Sequence, residues 1–147
     1  MSYDLHASLG YQLSRLARAV ERGFEARLEP LELTRLQWCV LLGVGQEGIG
    51  QPSGLSDFIG VDRAAISRAL NVLEGQGRVV RTASNGDGRA RDVAITAAGR
   101  AVLDEAVAAA RANAEDMTRD LDPCSRDRLL ALLTELNAAR PGPLKGL

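Results

Sequence analysis

The chain has 147 residues, 46% of them hydrophobic and 25% charged, and a net charge of −1. That is room for one domain that buries a core without staples, and no apolar run approaches the roughly 18–20 residues of a membrane-spanning helix. Two distant cysteines, Cys39 and Cys124, lack metal-ligand spacing, so neither a metal nor any other cofactor is expected. The opening MSYDLHASLG lacks the basic flank and apolar stretch of a signal peptide, and a cytoplasmic location is the simplest expectation. Aromatic residues are only 3%, while Ala and Leu abound and favour helices.

Taken from the start, Leu5, Leu9, Leu13, Leu16, Val20, Phe24 and Leu28 recur every three or four residues. The spacing predicts a long amphipathic helix ending before Pro30. Thr34 and Gln37 make a capping-box pair at the head of a second helix. Its Trp38, Val40, Leu41, Leu42 and Val44 mark it as largely buried, and the glycines from 43 to 48 stop it.

In QPSGLSDFIGVDRAAISRALNVLEGQG, Ser53 is the expected N-cap of a short helix to Ile59, which Gly60 breaks. Asp62 caps the next helix, running to about Gln76 with Gly77 past its end. Leu55, Ile59, Val61, Ile66 and Leu70 are expected to point inward, and the small Ser56 suits the place where two helices cross. This is a helix-turn-helix pattern.

RVVRTASNGDGRARDVAIT follows at once, residues 78 to 96. Two β-branched runs flank Asn85-Gly86 and Asp87-Gly88, both hairpin turn signals. Arg89, Arg91, Val93 and Ile95 share one parity, so one strand face is apolar at its base and cationic toward its tip. Val79, Val80, Val93 and Ile95 are expected to pack on the helices, while the tip leaves the body. Residues 61 to 91 hold six arginines (63, 68, 78, 81, 89 and 91) against Asp62, Glu74 and Asp87, a surplus of three positive charges in a chain that is otherwise acidic. Seventeen of the 18 basic residues are Arg, the side chain suited to phosphates and guanine edges. Helix-turn-helix plus charged hairpin is the winged variant, and a negatively charged groove is its natural partner.

Beyond the hairpin, Thr96 can cap a long helix carrying Val102, Leu103, Ala106, Val107, Ala110, Ala114, Met117 and Leu121. Asp122-Pro123 restarts a helix whose Leu129, Leu130, Leu132, Leu133 and Leu136 offer more apolar surface than a small monomer needs. Core packing is expected to account for some of this surface, and self-association through the first and last helices for the rest. The fold expected is mainly α with a small β-hairpin wing: a winged helix-turn-helix with long N- and C-terminal dimerisation helices. Its parts are an N-terminal dimerisation helix (1–30), a DNA-binding lobe (31–96), C-terminal dimerisation helices (97–140) and a flexible tail (141–147).

From Leu33 to Leu103 the chain resembles the MarR family of bacterial transcription regulators. LTRLQWCVL, LSDFIGVDRAAISRALNVLEGQGRVVR and DGRARDVAITAAGRAVL carry the resemblance. The wing signature reads Asp87-Gly88-Arg89, followed by Ile95-Thr96 and the helix start Gly99-Arg100. Many relatives have an extra Arg where Gly88 stands. The resemblance implies a two-fold dimer, repression more often than activation, and release by a small molecule, commonly an aromatic carboxylate or its thioester, bound between the dimer helices and the DNA-binding lobe. Tyr11, Arg15 and Trp38 are the candidates for that pocket, although Tyr11 and Trp38 also read as core.

Such a dimer would present two helices to major grooves about 34 Å apart on a double-stranded inverted-repeat operator. Arg63, Ala64, Ser67 and Arg68 are the candidate contacts on the helix from Asp62, with Arg68 the choice for a guanine edge. Arg89, oriented by Asp87, would enter the flanking minor groove, and Arg81 and Arg91 would touch phosphate. Some relatives sense oxidants through a cysteine near the start of the first helix, where this chain has none. Cys39 sits among apolar residues, and Cys124 lies where the amides of a helix start can lower its pKa. Catalysis has little to work with: the single histidine, His6, has no partner beside it in sequence, and no phosphate loop or nucleophile elbow appears. The rival reading is a winged-helix protein-interaction module that never touches DNA.

Overall fold

The computed structural model describes residues 3–83 and 91–140, with Ala83 and Arg91 described by their backbone alone. The turn at Asn85-Gly86 and Asp87-Gly88, Arg89 and the tail from 141 lie outside the described residues.

Helix α1 spans Leu9–Leu28, opened by Ser8, whose side chain accepts from the Tyr11 amide. Leu5 precedes the helix and does not extend it. The chain passes through a 3-10 turn at Glu29–Leu31, which contains Pro30, into α2, Arg35–Gly45. Both halves of the capping box form: the Gln37 amide donates to Thr34 Oγ1 at 3.2 Å, and the Thr34 amide donates to Gln37 Oε1 at 2.9 Å.

Helix α3 is Pro52–Ile59 and α4 is Arg63–Gly75. The N-cap of α3 is Gln51, not the expected Ser53, which falls inside the first turn. Pro52 takes the first helical position, where its fixed φ fits and its missing N–H costs nothing. Gly60 closes α3 at φ 80°, a left-handed conformation that favours glycine. Ser56 Oγ donates across that turn to the Val61 carbonyl at 2.6 Å, so its work is to staple the turn as well as to be small. Asp62 Oδ1 accepts from the Ala65 amide at 2.7 Å and starts α4 as the sequence predicts.

Strands β1 (Val79–Ala83) and β2 (Arg91–Ile95) pair antiparallel, with Val79 opposite Ile95, Arg81 opposite Val93 and Ala83 opposite Arg91. The Val93 amide also donates to the Gly50 carbonyl at 2.8 Å, tying the α2–α3 connection to the hairpin. Val79 and Val93 are buried and Ile95 packs partly buried against the core, but Val80 is exposed. Neighbours in a strand point to opposite faces, so Val79 and Val80 cannot both cover the core.

Helix α5, Ala97–Met117, is capped by Thr96, and α6, Pro123–Ala138, by Asp122. One core joins α1, α2, α3, α4, the hairpin and α5; Leu28, Leu41, Leu55, Ile66, Leu70 and Leu73 are its largest fully buried side chains. Val61 is only partly buried at its edge. The start of α5 is drawn hard against the end of α4. Thr96 Oγ1 donates to Gly77 O at 2.7 Å, the Thr96 amide donates to Arg78 O at 3.0 Å, and Gly99 lies so near that a β-carbon there would sit 2.0 Å from Arg78 O. Arg100 then donates to the Gly45 carbonyl at the end of α2. The Gly99-Arg100 signature is therefore a docking device for α5.

Helix α6 buries no residue: Leu130, Leu132 and Leu136 stay exposed, as do Leu9, Leu13, Leu16 and Val20 on α1. The two helices that the sequence assigns to self-association keep their apolar faces uncovered in the single chain.

Candidate nucleic-acid interface

Helix α4 is amphipathic with a clean division. Ile66, Ala69, Leu70 and Leu73 are buried, whereas Arg63, Ala64, Ser67, Arg68 and Asn71 are exposed. Those five lie at i, i+1, i+4, i+5 and i+8, one stripe of a 3.6-residue helix. Ala64 and Ser67 are small, so a surface laid along the stripe reaches the backbone between two guanidinium groups. The Arg63 and Arg68 side chains form no ion pair or hydrogen bond with any described residue.

The other arginines of the cluster divide differently. Arg78 is buried, 9% exposed, and donates to Leu31 O at 2.7 Å and Glu32 O at 3.1 Å. It braces the turn before α2, where Glu32 holds a left-handed φ of 51°, and it is not part of any surface charge. Arg81 leans onto α4, with Nη1 3.2 Å from Glu74 and Nη2 donating to Asn71 at 2.8 Å. In this arrangement the Arg81 guanidinium is spent on the helix, and it fixes the hairpin's angle to α4. Asn71 is a residue the sequence reading missed. Its signal is its place one turn beyond Ser67 on the same exposed stripe. Asp87 and Arg89 lie outside the described residues, and Arg91 is placed only by its backbone, at the outer end of β2.

Between α1, α2, α5 and α6 lies a cavity of about 720 Å³. Its walls are mostly apolar and include Leu16, Phe24, Trp38, Cys39, Met117 and Leu133. Phe24 meets Trp38 edge to face at 4.8 Å. Asn113, buried on α5, donates to Val20 O at 3.0 Å and accepts from Arg27 at 3.3 Å, which locks α5 to α1. Of the three residues expected in a ligand pocket, Trp38 lines this cavity while Tyr11 and Arg15 do not. Tyr11 packs edge-on against His6 at 4.8 Å, and Arg15 is exposed along α1. Burial pushes the Cys39 thiol up to about 11, against the opposing pull of nearby Arg35, so it is protonated and unreactive at neutral pH. Cys124 is exposed in the first turn of α6.

Among the described residues no group of three or more His, Cys, Asp or Glu is placed to hold a metal ion. No helix among them is long and apolar enough to cross a membrane.

Known proteins share this fold. A family model described as MarR family matches residues 31–90. The transcriptional repressor CouR, solved bound to a 23-mer DNA duplex, is 31% identical, with 92% of this chain and 99% of that one covered and a TM-score of 0.80. CouR from Rhodococcus jostii RHA1, solved bound to p-coumaroyl-CoA, aligns at 26% identity over 98% of this chain and 100% of that one, again with a TM-score of 0.80. A probable transcriptional regulator from Pseudomonas aeruginosa is 28% identical, covering 90% and 99% of the two chains with a TM-score of 0.80.

Proposed function

The chain belongs to the MarR family of transcriptional regulators, and from that premise we propose that it represses transcription by binding an inverted-repeat operator as a homodimer and lets go when a small aromatic ligand binds. The observation that carries the reading is the outward stripe of α4, where Arg63 and Arg68 flank Ala64 and Ser67 and pair with no carboxylate among the described residues. In this reading residues 31–96 are the DNA-binding lobe, and 1–30 with 97–140 form the dimer. The uncovered leucines of α1 and α6 support the pairing, since a contiguous apolar face of this kind is otherwise costly in water.

On DNA, Arg68 reads a guanine edge and Arg63, Ala64 and Ser67 lie against neighbouring bases and backbone. Arg89, held by Asp87, enters the minor groove, and Arg91 meets phosphate. Arg81 meets phosphate only by leaving Glu74 and Asn71, so its first duty is to set the wing. That CouR was solved with DNA and with a thioester ligand supports both halves of the proposal by analogy.

The test is a shift assay on DNA flanking the protein's own gene across a salt series. Binding should weaken steeply with salt, because phosphate contacts release counterions. Arg68→Ala should cost about 1–3 kcal/mol and relax preference at one base position. Arg89→Ala should abolish tight binding with the dimer intact. Wild-type affinity in both variants would overturn the interface, and salt-independent binding to a protein partner in place of DNA would favour an interaction module.

A further inference from the structure

By residue type alone Asn71 would be matched with adenine, whose N7 accepts and whose N6 amino group donates, the pair of bonds that an asparagine amide returns. The structure removes half of that pair. Arg81 Nη2 donates to Asn71 Oδ1 at 2.8 Å, while Arg81 Nη1 is held 3.2 Å from Glu74, one turn further along α4. A guanidinium has hydrogens to give and no lone pair to accept with, so the oxygen of the Asn71 amide is the end that must face it. The amino end then turns away, and Nδ2 meets no acceptor among the described residues. Asn71 is exposed, and on a 3.6-residue repeat it points between Ser67 and Ala64, along the middle of the α4 stripe.

We infer that Asn71 is a specificity-determining residue that reads a base acceptor in the major groove, preferring guanine to adenine, and that Arg81 is the positioning residue that sets this polarity. The inference rests on the reading of α4 as the surface laid against DNA. Guanine shows two acceptors side by side, N7 and O6, and the two hydrogens of Nδ2 suit them. Adenine keeps N7 but brings its amino hydrogens toward an oxygen already bonded to a cation. Cytosine, whose edge in the groove is an amino donor, fits worse still. The Glu74 carboxylate keeps the clamp in place: it tethers a guanidinium whose side chain is only 19% exposed, so Arg81 does not swing freely to a phosphate. Because Arg81 stands on β1 and Asn71 on α4, the seating of the hairpin on the helix is written into the choice of base.

The experiment incubates the full-length protein with a duplex library randomised over about two helical turns. The bound fraction is sequenced, and the preferred duplex is then titrated with each base pair exchanged in turn. Wild type should favour guanine over adenine at one base pair of each half-site by about two- to tenfold, the net worth of one hydrogen bond. Asn71→Ala should flatten the preference at that pair and leave the other positions as they were. Arg81→Met frees the amide oxygen and should raise adenine relative to guanine there several-fold, whatever it does to overall affinity. Arg81→Lys restores a donor and should move the preference back toward guanine. A merely structural or phosphate-contacting Arg81 would lower affinity for every sequence alike and leave the choice of base unmoved. Circular dichroism checks that each variant folds. Asn71→Ala, an exposed change to a better helix former, decides the matter even if the Arg81 variants do not fold. Uniform weakening by Asn71→Ala, an unchanged choice of sequence, or adenine favoured by wild type at the pair that responds to Asn71→Ala overturns the inference and leaves the regulator reading intact. A wild-type protein that selects no sequence from the library overturns the regulator reading itself, and the inference falls with it.

Discussion

Alanine at position 99 adds one methyl group at the most crowded glycine among the described residues. Its β-carbon would lie 2.0 Å from Arg78 O and 2.9 Å from both Arg78 C and Ile95 Cγ1, where ordinary contact begins at 3.4 Å. Arg78 O is backbone, fixed by the Thr96 amide at 3.0 Å, so relief requires α5 to withdraw from the end of α4. Overpacking of this kind costs about 1–3 kcal/mol, and loosening the Thr96 hydrogen bonds adds roughly 0.5–1.5 kcal/mol. Against this stands the gain of about 0.4–1 kcal/mol from a less flexible unfolded chain. The net expectation for Gly99→Ala is a loss of about 0.5–4 kcal/mol, centred near 2. Gly75→Ala, at the end of α4 with nothing within 4 Å of the new methyl, should keep only the gain. Urea unfolding at a fixed protomer concentration separates the two, since stability of a dimer depends on concentration. With slopes of about 1–3 kcal/mol per molar, Gly99→Ala should lower the midpoint, by about 1 M at the centre of these ranges. A Gly99→Ala protein as stable as wild type, or a Gly75→Ala protein equally damaged, would refute the reasoning.

Arg78→Ala removes two charge-assisted hydrogen bonds, made by a buried guanidinium to part-buried carbonyls, and should cost roughly 2–4 kcal/mol in the same unfolding assay; a loss under about 0.5 kcal/mol, the range of ordinary surface changes, would show that Arg78 is a surface charge after all. A maleimide at pH 8 should label exposed Cys124 within minutes and Cys39 only on unfolding, because burial pushes the Cys39 thiol up to about 11; mass spectrometry of the peptides decides, and early modification of Cys39 would count against it. The Asp122 carboxyl is held below its usual range by the Ser125 hydroxyl and amide. A depressed folded pKa means that the cap stabilises α6 above the unfolded value and fails as pH falls through the folded one. In acid titration followed by circular dichroism, Asp122→Asn should therefore lose less helix than wild type across that window; superimposable curves would deny the cap a role.

Helix caps were legible in the sequence because capping is local: Thr34 with Gln37, Asp62, Thr96 and Asp122 all act within three residues of themselves. The inward and outward faces of α4 were legible for the same reason, through a period of 3.6. Arg78 was not. In sequence it is one more cation in a basic run, and only the return of the chain at Leu31 and Glu32, more than forty residues away, makes it a buried brace. Arg81 misled similarly, since its partner Glu74 lies seven residues back on another element. The cavity needed four helices to meet, so Trp38 could be named as a candidate but Arg35, Glu21 and Asn113 could not. Tyr11 and Arg15 share α1 with Glu21, yet Tyr11 packs on His6 before the helix and Arg15, beside the lining residue Leu16, is exposed on another side of the helix.

The knot at Thr96, Gly99 and Arg78 leaves no hinge where the long fifth helix meets the reading head. Tilt that helix, and recognition stripe and hairpin must swing with it as one lever, so bending has to occur elsewhere along its length. In the proposed dimer, a wedge driven between the first and fifth helices would thus change the spacing of the two heads on a duplex without disturbing the shape of either.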